Sequence, residues 1–100
     1  MTLPVKPPAP FKPLRGVRIL SLALNLPGPA ALMRLQALGA SCSKVEPPSG
    51  DPMGLYNRTA YDTLHQGVKV SSADLRTEAG QKAVHKLLAR ADILLTSFRP

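Results

Sequence analysis

Apolar residues in this 100-residue chain fall into short blocks divided by polar, glycine and proline punctuation. Residues 17–24 (VRILSLAL) form the first block, and Val17, Ile19 and Leu20 in a nearly continuous apolar run predict a mostly buried strand. Asn25-Leu26-Pro27-Gly28-Pro29 interrupts it, and the following AALMRLQAL consists of good helix formers. Pro29 suits a first helical turn and Gly39 the position just past a helix end. SCSKVE at 41–46 predicts a second strand, with Cys42 and Val45 on opposite faces and Pro47-Pro48 ending the pairing.

Residues 49–67 mix polar groups irregularly with Met53, Leu55, Tyr56, Tyr61 and Leu64, which predicts a packed excursion with one helical turn around 58–64. A brief extended element is expected at 68–71. The second helix is predicted over 78–90, with Thr77 as N-cap and Glu78 in the first turn. Val84, Leu87, Leu88 and Ala91 mark its inner face, and Lys82, Lys86 and Arg90 its solvent face. DILLT at 92–96 predicts a third strand. Short apolar strands alternating with amphipathic helices imply an α/β fold with a small parallel sheet and right-handed crossovers. Residues 1–16, with Pro4, Pro7, Pro8, Pro10 and Pro13, predict an extended proline-rich arm before the folded part at 17–100.

Charge refines this picture unevenly. Thirteen Lys and Arg against six Asp and Glu give +7, yet every acidic residue lies at or after Glu46. A basic first half favours an anionic partner. It does not favour nucleic acid, because Lys6, Lys12, Arg15 and Arg18 are spaced by prolines and Phe11, Tyr56, Tyr61 and Phe98 are too scattered for a stacking platform. The 19–26 apolar stretch carries Ser21 and Asn25 and ends at Pro27, so neither a signal peptide nor a membrane span is expected. The lone Cys42 cannot form an internal disulfide, which points to a reducing, cytoplasmic setting. Cys42, His65 and His85 lack metal-ligand spacing, so no metal site is expected.

Ligands of parallel sheets approach the C-terminal strand ends, which draws attention to the LNLPGP turn. It is a poor diphosphate cradle, since Pro27 and Pro29 have no N–H to donate. Gly28 reads equally as a turn glycine or as a point of close ligand approach. Lys44 is expected to snorkel or lie at a sheet edge, with anion attraction as the alternative. Glu46 reads as an isolated carboxylate, and Asp51 as a turn or cap residue. His85 is expected to face solvent, while His65 is a candidate ligand contact.

The order of these pieces resembles the N-terminal part of the family III (CaiB/BaiF type) CoA-transferases, a group that includes formyl-CoA transferase and alpha-methylacyl-CoA racemase. PLRGVRIL at 13–20, PGPAALMRLQALGA at 27–40, SKVEPPSGDP at 43–52, the 71–95 segment and SFRP at 97–100 carry the resemblance. It implies a Rossmann-like parallel sheet with crossover helices, here as part of a domain in a longer chain. It also implies transfer of CoA from an acyl-CoA thioester to a carboxylic acid, an interlocked homodimer, and CoA thioester as substrate with no tightly bound cofactor. The family's catalytic aspartate corresponds to a position beyond Pro100, so no catalytic residue is expected here, and Asp51, Asp62, Asp74 and Asp92 are not assigned that role. A racemase acting on an acyl-CoA and a noncatalytic binding protein are the alternatives.

By the same resemblance, Leu26, Pro27, Gly28 and Pro29 flank the pantetheine. Gly67 and Lys69 fall in the adenine-side segment, and Ser97, Phe98 and Arg99 at the third strand's end. Several family positions differ: Ser21 and Ala37 stand where acids are usual, and Pro47 and Val68 where basic residues are. Each such change removes a charge-assisted contact.

Overall fold

The computed structural model describes residues 11–98. Four strands and four helices alternate along the chain: β1 (Arg18–Ser21), α1 (Pro27–Ala37), β2 (Ser41–Glu46), α2 (Met53–Tyr56), α3 (Arg58–Leu64), β3 (Lys69–Ser72), α4 (Glu78–Leu88) and β4 (Ile93–Leu95). The strands form one sheet in the order β3-β2-β1-β4. All three pairings are parallel, with Ile19 opposite Cys42 and Ile93, and Lys44 opposite Val70. The α/β expectation holds, and the 68–71 segment proves to be a full member of the sheet. Among the described residues no helix is long and apolar enough to cross a membrane.

Period-two alternation divides the sheet's faces. Ile19 and Cys42 pack with Leu32 of α1 on one side. Leu20 and Val45 pack with Val84 of α4, flanked by Leu87, Leu88 and Ala91, on the other. Cys42 and Val45 thus take opposite faces as their spacing requires. Thr77 caps α4 by accepting a hydrogen bond from Gly80 N at 3.0 Å, and Glu78 pairs with Lys82 one turn on. Residues 1–10 of the expected arm lie outside the described residues. Leu14 donates its N–H to Leu38 O at 2.9 Å and packs against the Ile19 cluster.

The first strand is shorter than the apolar run suggests. Paired residues end at Ser21; Leu22 N still donates to Leu95 O of β4 at 2.9 Å, and the next amide, Ala23 N, donates to the buried Ser21 hydroxyl at 3.1 Å. Leu22 nevertheless stays inside, against the α4 cluster. The single helical turn expected near 58–64 is the seven-residue α3, preceded by the short α2. Asn57 starts α3 by accepting from Ala60 N. Ile19 and Leu20 are buried, because β1 is flanked by strands on both edges and by a helix on each face. Exposure falls on edge strand β4, at Ile93 and Leu94.

Candidate functional site

The chain leaves β1 toward β2 on one side, through α1, and reaches β4 on the other side through α4. Because all the pairings are parallel, the segments that follow β1, β2, β3 and β4 share the C-terminal end of the sheet, the place where open parallel sheets bind ligands. An open cavity of about 520 Å³ lies there. Leu22 and Leu24 line it from the β1 side, Pro47 and Pro48 from β2, Arg76 from β3 and Phe98 from β4. The wall is mainly apolar with polar groups at its margin. Asp74 and Arg76 form an exposed pair, Nε to Oδ1 at 3.1 Å, and these bonds hold the Asp74 carboxyl below the usual carboxylate range.

Beneath the β2 end lies a group of charged side chains. Lys44, fully buried, sits on the α1–α3 face at the same parity as Cys42. Its Nζ lies 2.5 Å from Asp51 Oδ2, 2.8 Å from His65 Nε2 and 3.2 Å from Glu46 Oε2. Three acceptors thus meet the three protons of one ammonium. His65 Nδ1 lies 2.6 Å from the Tyr61 carbonyl, which assigns the proton to Nδ1 and leaves Nε2 to accept from Lys44. Tyr61 donates its hydroxyl to Glu46 Oε2 at 2.6 Å and stacks on the His65 ring. Burial and then the Glu46 carboxylate push the Tyr61 phenol well above its ordinary pKa.

Asp51 reaches this cluster because residues 47–50 reverse the chain. Gly50 N donates to Pro47 O at 2.8 Å, and Gly50 adopts φ 80°, a conformation favouring glycine. Burial alone would raise the Asp51 pKa, but the Lys44 hydrogen bond, the Met53 and Asn25 N–H groups and the Lys44 charge together lower it. Both of its oxygens accept from Asn25 N, at 3.0 and 3.2 Å. Glu46, Asp51 and His65 have the spacing of metal ligands, with donor atoms within 4.8 Å of one another. The Lys44 ammonium reaches all three donors of that set, so a cation of the chain itself already stands where a metal ion would.

Lys44 therefore neither snorkels nor lies at an edge: β2 is an interior strand, and the ammonium is saturated internally. Glu46 is not isolated, and Asp51 does more than terminate a turn. Their signal in the sequence was parity, since residues 42, 44 and 46 share a face and two of them carry opposite charges. His85 faces solvent as expected.

The positions assigned by resemblance separate into two groups. Ser97 and Phe98 stand beside the β1–α1 turn, with Ser97 Oγ accepting from Leu24 N at 3.3 Å. Leu26 and Pro27 are exposed on that turn, whereas Gly28 and Pro29 are buried beneath it. A Cβ at Gly28 would overlap Ala23, so this glycine permits close approach of helix and strand. Gly67 and Lys69 lie at the opposite end of the sheet, where β3 begins, and line a second cavity with Arg18 and Ser41. Arg99 lies outside the described residues. Each described aspartate is engaged: Asp51 with Lys44, Asp62 with Arg58, Asp74 with Arg76, and Asp92 with Arg18.

Comparison with known proteins places this arrangement. A succinyl-CoA–D-citramalate CoA-transferase of Chloroflexus aurantiacus is 39% identical over 99 residues, covering 91% of this chain and 25% of its own. A cinnamoyl-CoA:phenyllactate CoA-transferase of Clostridium sporogenes is 35% identical, covering 84% of this chain and 23% of its own. A solved structure from Mycobacterium tuberculosis superposes with TM-score 0.82 at 36% identity, over 92% of this chain and 27% of that one. The chain thus spans about a quarter of the length of the relatives it matches. The model for CoA-transferase family III matches residues 14–100, and the chain belongs to that family.

Proposed function

We propose that the whole protein transfers CoA between an acyl-CoA thioester and a free carboxylic acid, and that these residues supply part of the CoA-binding wall. The observation that carries this reading is the cavity's position at the C-terminal end of the parallel sheet, lined by the segments that follow all four strands. Its apolar lining suits the pantetheine arm or a planar base, and the exposed Arg76 guanidinium, paired with Asp74, is the basic group in that lining that suits a phosphate. The β1–α1 turn, through Leu26 and Pro27, flanks the pantetheine. Gly28 and Pro29 shape that turn from below. Phe98 lines the cavity beside that turn, where Ser97 holds Leu24, and the family resemblance assigns the adjoining Arg99 to the same site. The nucleotide side then falls to Ala73–Arg76 at the end of β3, in preference to Gly67 and Lys69 at its start.

As the family resemblance implies, the covalent step is assigned to an aspartate beyond this stretch, and Asp51, Asp62, Asp74 and Asp92 are each paired with a basic side chain. Residues 17–100 are read as the N-terminal part of a larger Rossmann-like domain, with 1–16 as an arm. The reading includes a homodimer, supported by the uncovered Ile93 and Leu94. It also includes a reducing cytoplasmic setting, supported by the lone buried thiol of Cys42.

Titration calorimetry of CoA into the full-length protein, its Arg99→Ala variant and Lys86→Ala tests the reading. Arg99→Ala is expected to weaken CoA about tenfold, from loss of one charge-assisted contact. The loss shrinks at high salt if the contact is open to solvent. Lys86, exposed on α4, serves as the charge-matched control. Equal affinity in all three removes Arg99 from the site, and no CoA binding by the wild type overturns the reading.

A further inference from the structure

The β1–α1 turn is held from outside its own sequence. Asn25 has φ 65°, the left-handed region that costs most side chains strain. No side chain caps the first turn of α1, and Pro27 and Pro29 have no N–H through which it could be anchored. The Asn25 N–H instead points to both oxygens of Asp51, 26 residues away, and that carboxylate is itself fully buried against Lys44. Met53 N, at 3.0 Å, supplies the remaining donor. Asp51 thus ties the turn to the sheet, the reversing loop and α2 at once. Leu24, the residue before Asn25, forms part of the cavity wall, and Leu26, the residue after it, is exposed on the turn.

We propose that Asp51 is a positioning residue: its carboxylate, anchored on buried Lys44, fixes Asn25 and thereby sets the β1–α1 turn against the pantetheine arm of CoA. The proposal rests on the CoA-binding reading above. The Lys44 cluster is then a rigid post for a ligand-facing turn, and its charge is spent inside the protein. Lys44 supplies the anchor, Glu46 and His65 complete the ammonium's partners, and Tyr61 holds Glu46. Of these side chains, Asp51 alone is bonded to the turn.

The test must remove the turn's acceptor without stranding a buried charge, because an unpaired buried ammonium destabilises the fold by itself. Two single variants of the full-length protein do this, because Lys44 keeps its ion pair with Glu46. Asp51→Asn removes the charge and keeps an oxygen that can accept from Asn25 N. Asp51→Leu removes the charge and the acceptor together. Each is titrated with CoA and with phosphoadenosine diphosphate, the nucleotide half of CoA that lacks pantetheine, and thermal melting checks folding.

The Asn variant is expected to bind CoA within about threefold of wild type, and the Leu variant to lose about tenfold, the scale of one buried hydrogen bond and the disorder that follows its loss. Both should bind the nucleotide half within about threefold of wild type, because the turn does not reach it. Equal loss of CoA and nucleotide affinity in the Leu variant would show a merely structural role and overturn the proposal. Unchanged CoA affinity in the Leu variant would do the same. A large CoA loss in the folded Asn variant also overturns it, and that arm decides by itself if the Leu variant does not fold. Wild-type protein that binds neither ligand overturns the functional reading, and this proposal with it.

Discussion

On the α4 side of the sheet, Leu20, Val45 and Val84 meet with Leu87, Leu88 and Ala91 around them, and the packing is apolar throughout. On the α1–α3 side, the same two central strands bury an apolar cluster at Ile19 and Cys42, and two residues further along β2 they bury Lys44, with Asp51 and His65 beside it. The two faces use burial differently. Apolar packing is non-directional and tolerates volume-conserving change. The polar group fixes the relative positions of β2, the reversing loop, α3 and the β1–α1 turn through directional bonds, at a desolvation cost that only complete pairing offsets. The polar side is also the side that reaches the ligand-facing turn. Stability without direction comes from one face, and placement of the site from the other.

The strongest way to break this comparison is Lys44→Ala in the full-length protein. It leaves Asp51 and Glu46 as neighbouring carboxylates without their shared cation, and the expected cost is about 3–5 kcal/mol in urea unfolding. A loss below about 1 kcal/mol would mean that the pairing contributes little and that water reaches the cluster. Leu20→Ala is the counterpart on the apolar face, expected to cost about 3 kcal/mol through lost burial and the cavity left behind. That loss should be the same at neutral and mildly acidic pH, since no titrating group lies in the Leu20 cluster.

The subtlest test is acid. The folded Asp51 pKa is below its unfolded value, so the folded protein binds this proton less readily than the unfolded chain. Its contribution to stability is complete above about pH 5 and is lost as pH falls through the ordinary carboxylate range, near about 4, and then through the lowered folded value. Acid unfolding followed by circular dichroism should therefore be steeper in wild type than in the Asp51→Asn variant, which keeps the Lys44–Glu46 pair. Identical acid profiles would remove Asp51 as a source of pH-dependent stability.

How much was legible follows from the range of the interactions involved. The α4 cap, its inner and outer faces, the β2 boundaries and the parallel arrangement were readable because they depend on residues within a turn or a strand of one another. The opposite placement of Cys42 and Val45 was readable for the same reason. β1 was drawn too long because a buried serine hydroxyl outcompeted the ladder. In the candidate site, Phe98 and the β1–α1 turn were named from the resemblance, but the cavity that Phe98 shares with Leu22 and Leu24, just before that turn, depends on where β4 inserts in the strand order.

By itself the sequence determined an α/β parallel-sheet architecture, a basic first half and a family likeness spread over almost the whole chain, all properties of local pattern and order. Only the tertiary structure decided that Lys44 is buried, that Asp51 holds Asn25 across 26 residues, and that Gly67 and Lys69 lie at the far end of the sheet from Phe98. The physical reason is that a charged side chain shows only a cost in sequence. The partners that offset it arrive from α3, the reversing loop and the turn after β1, and only the folded chain brings those three together.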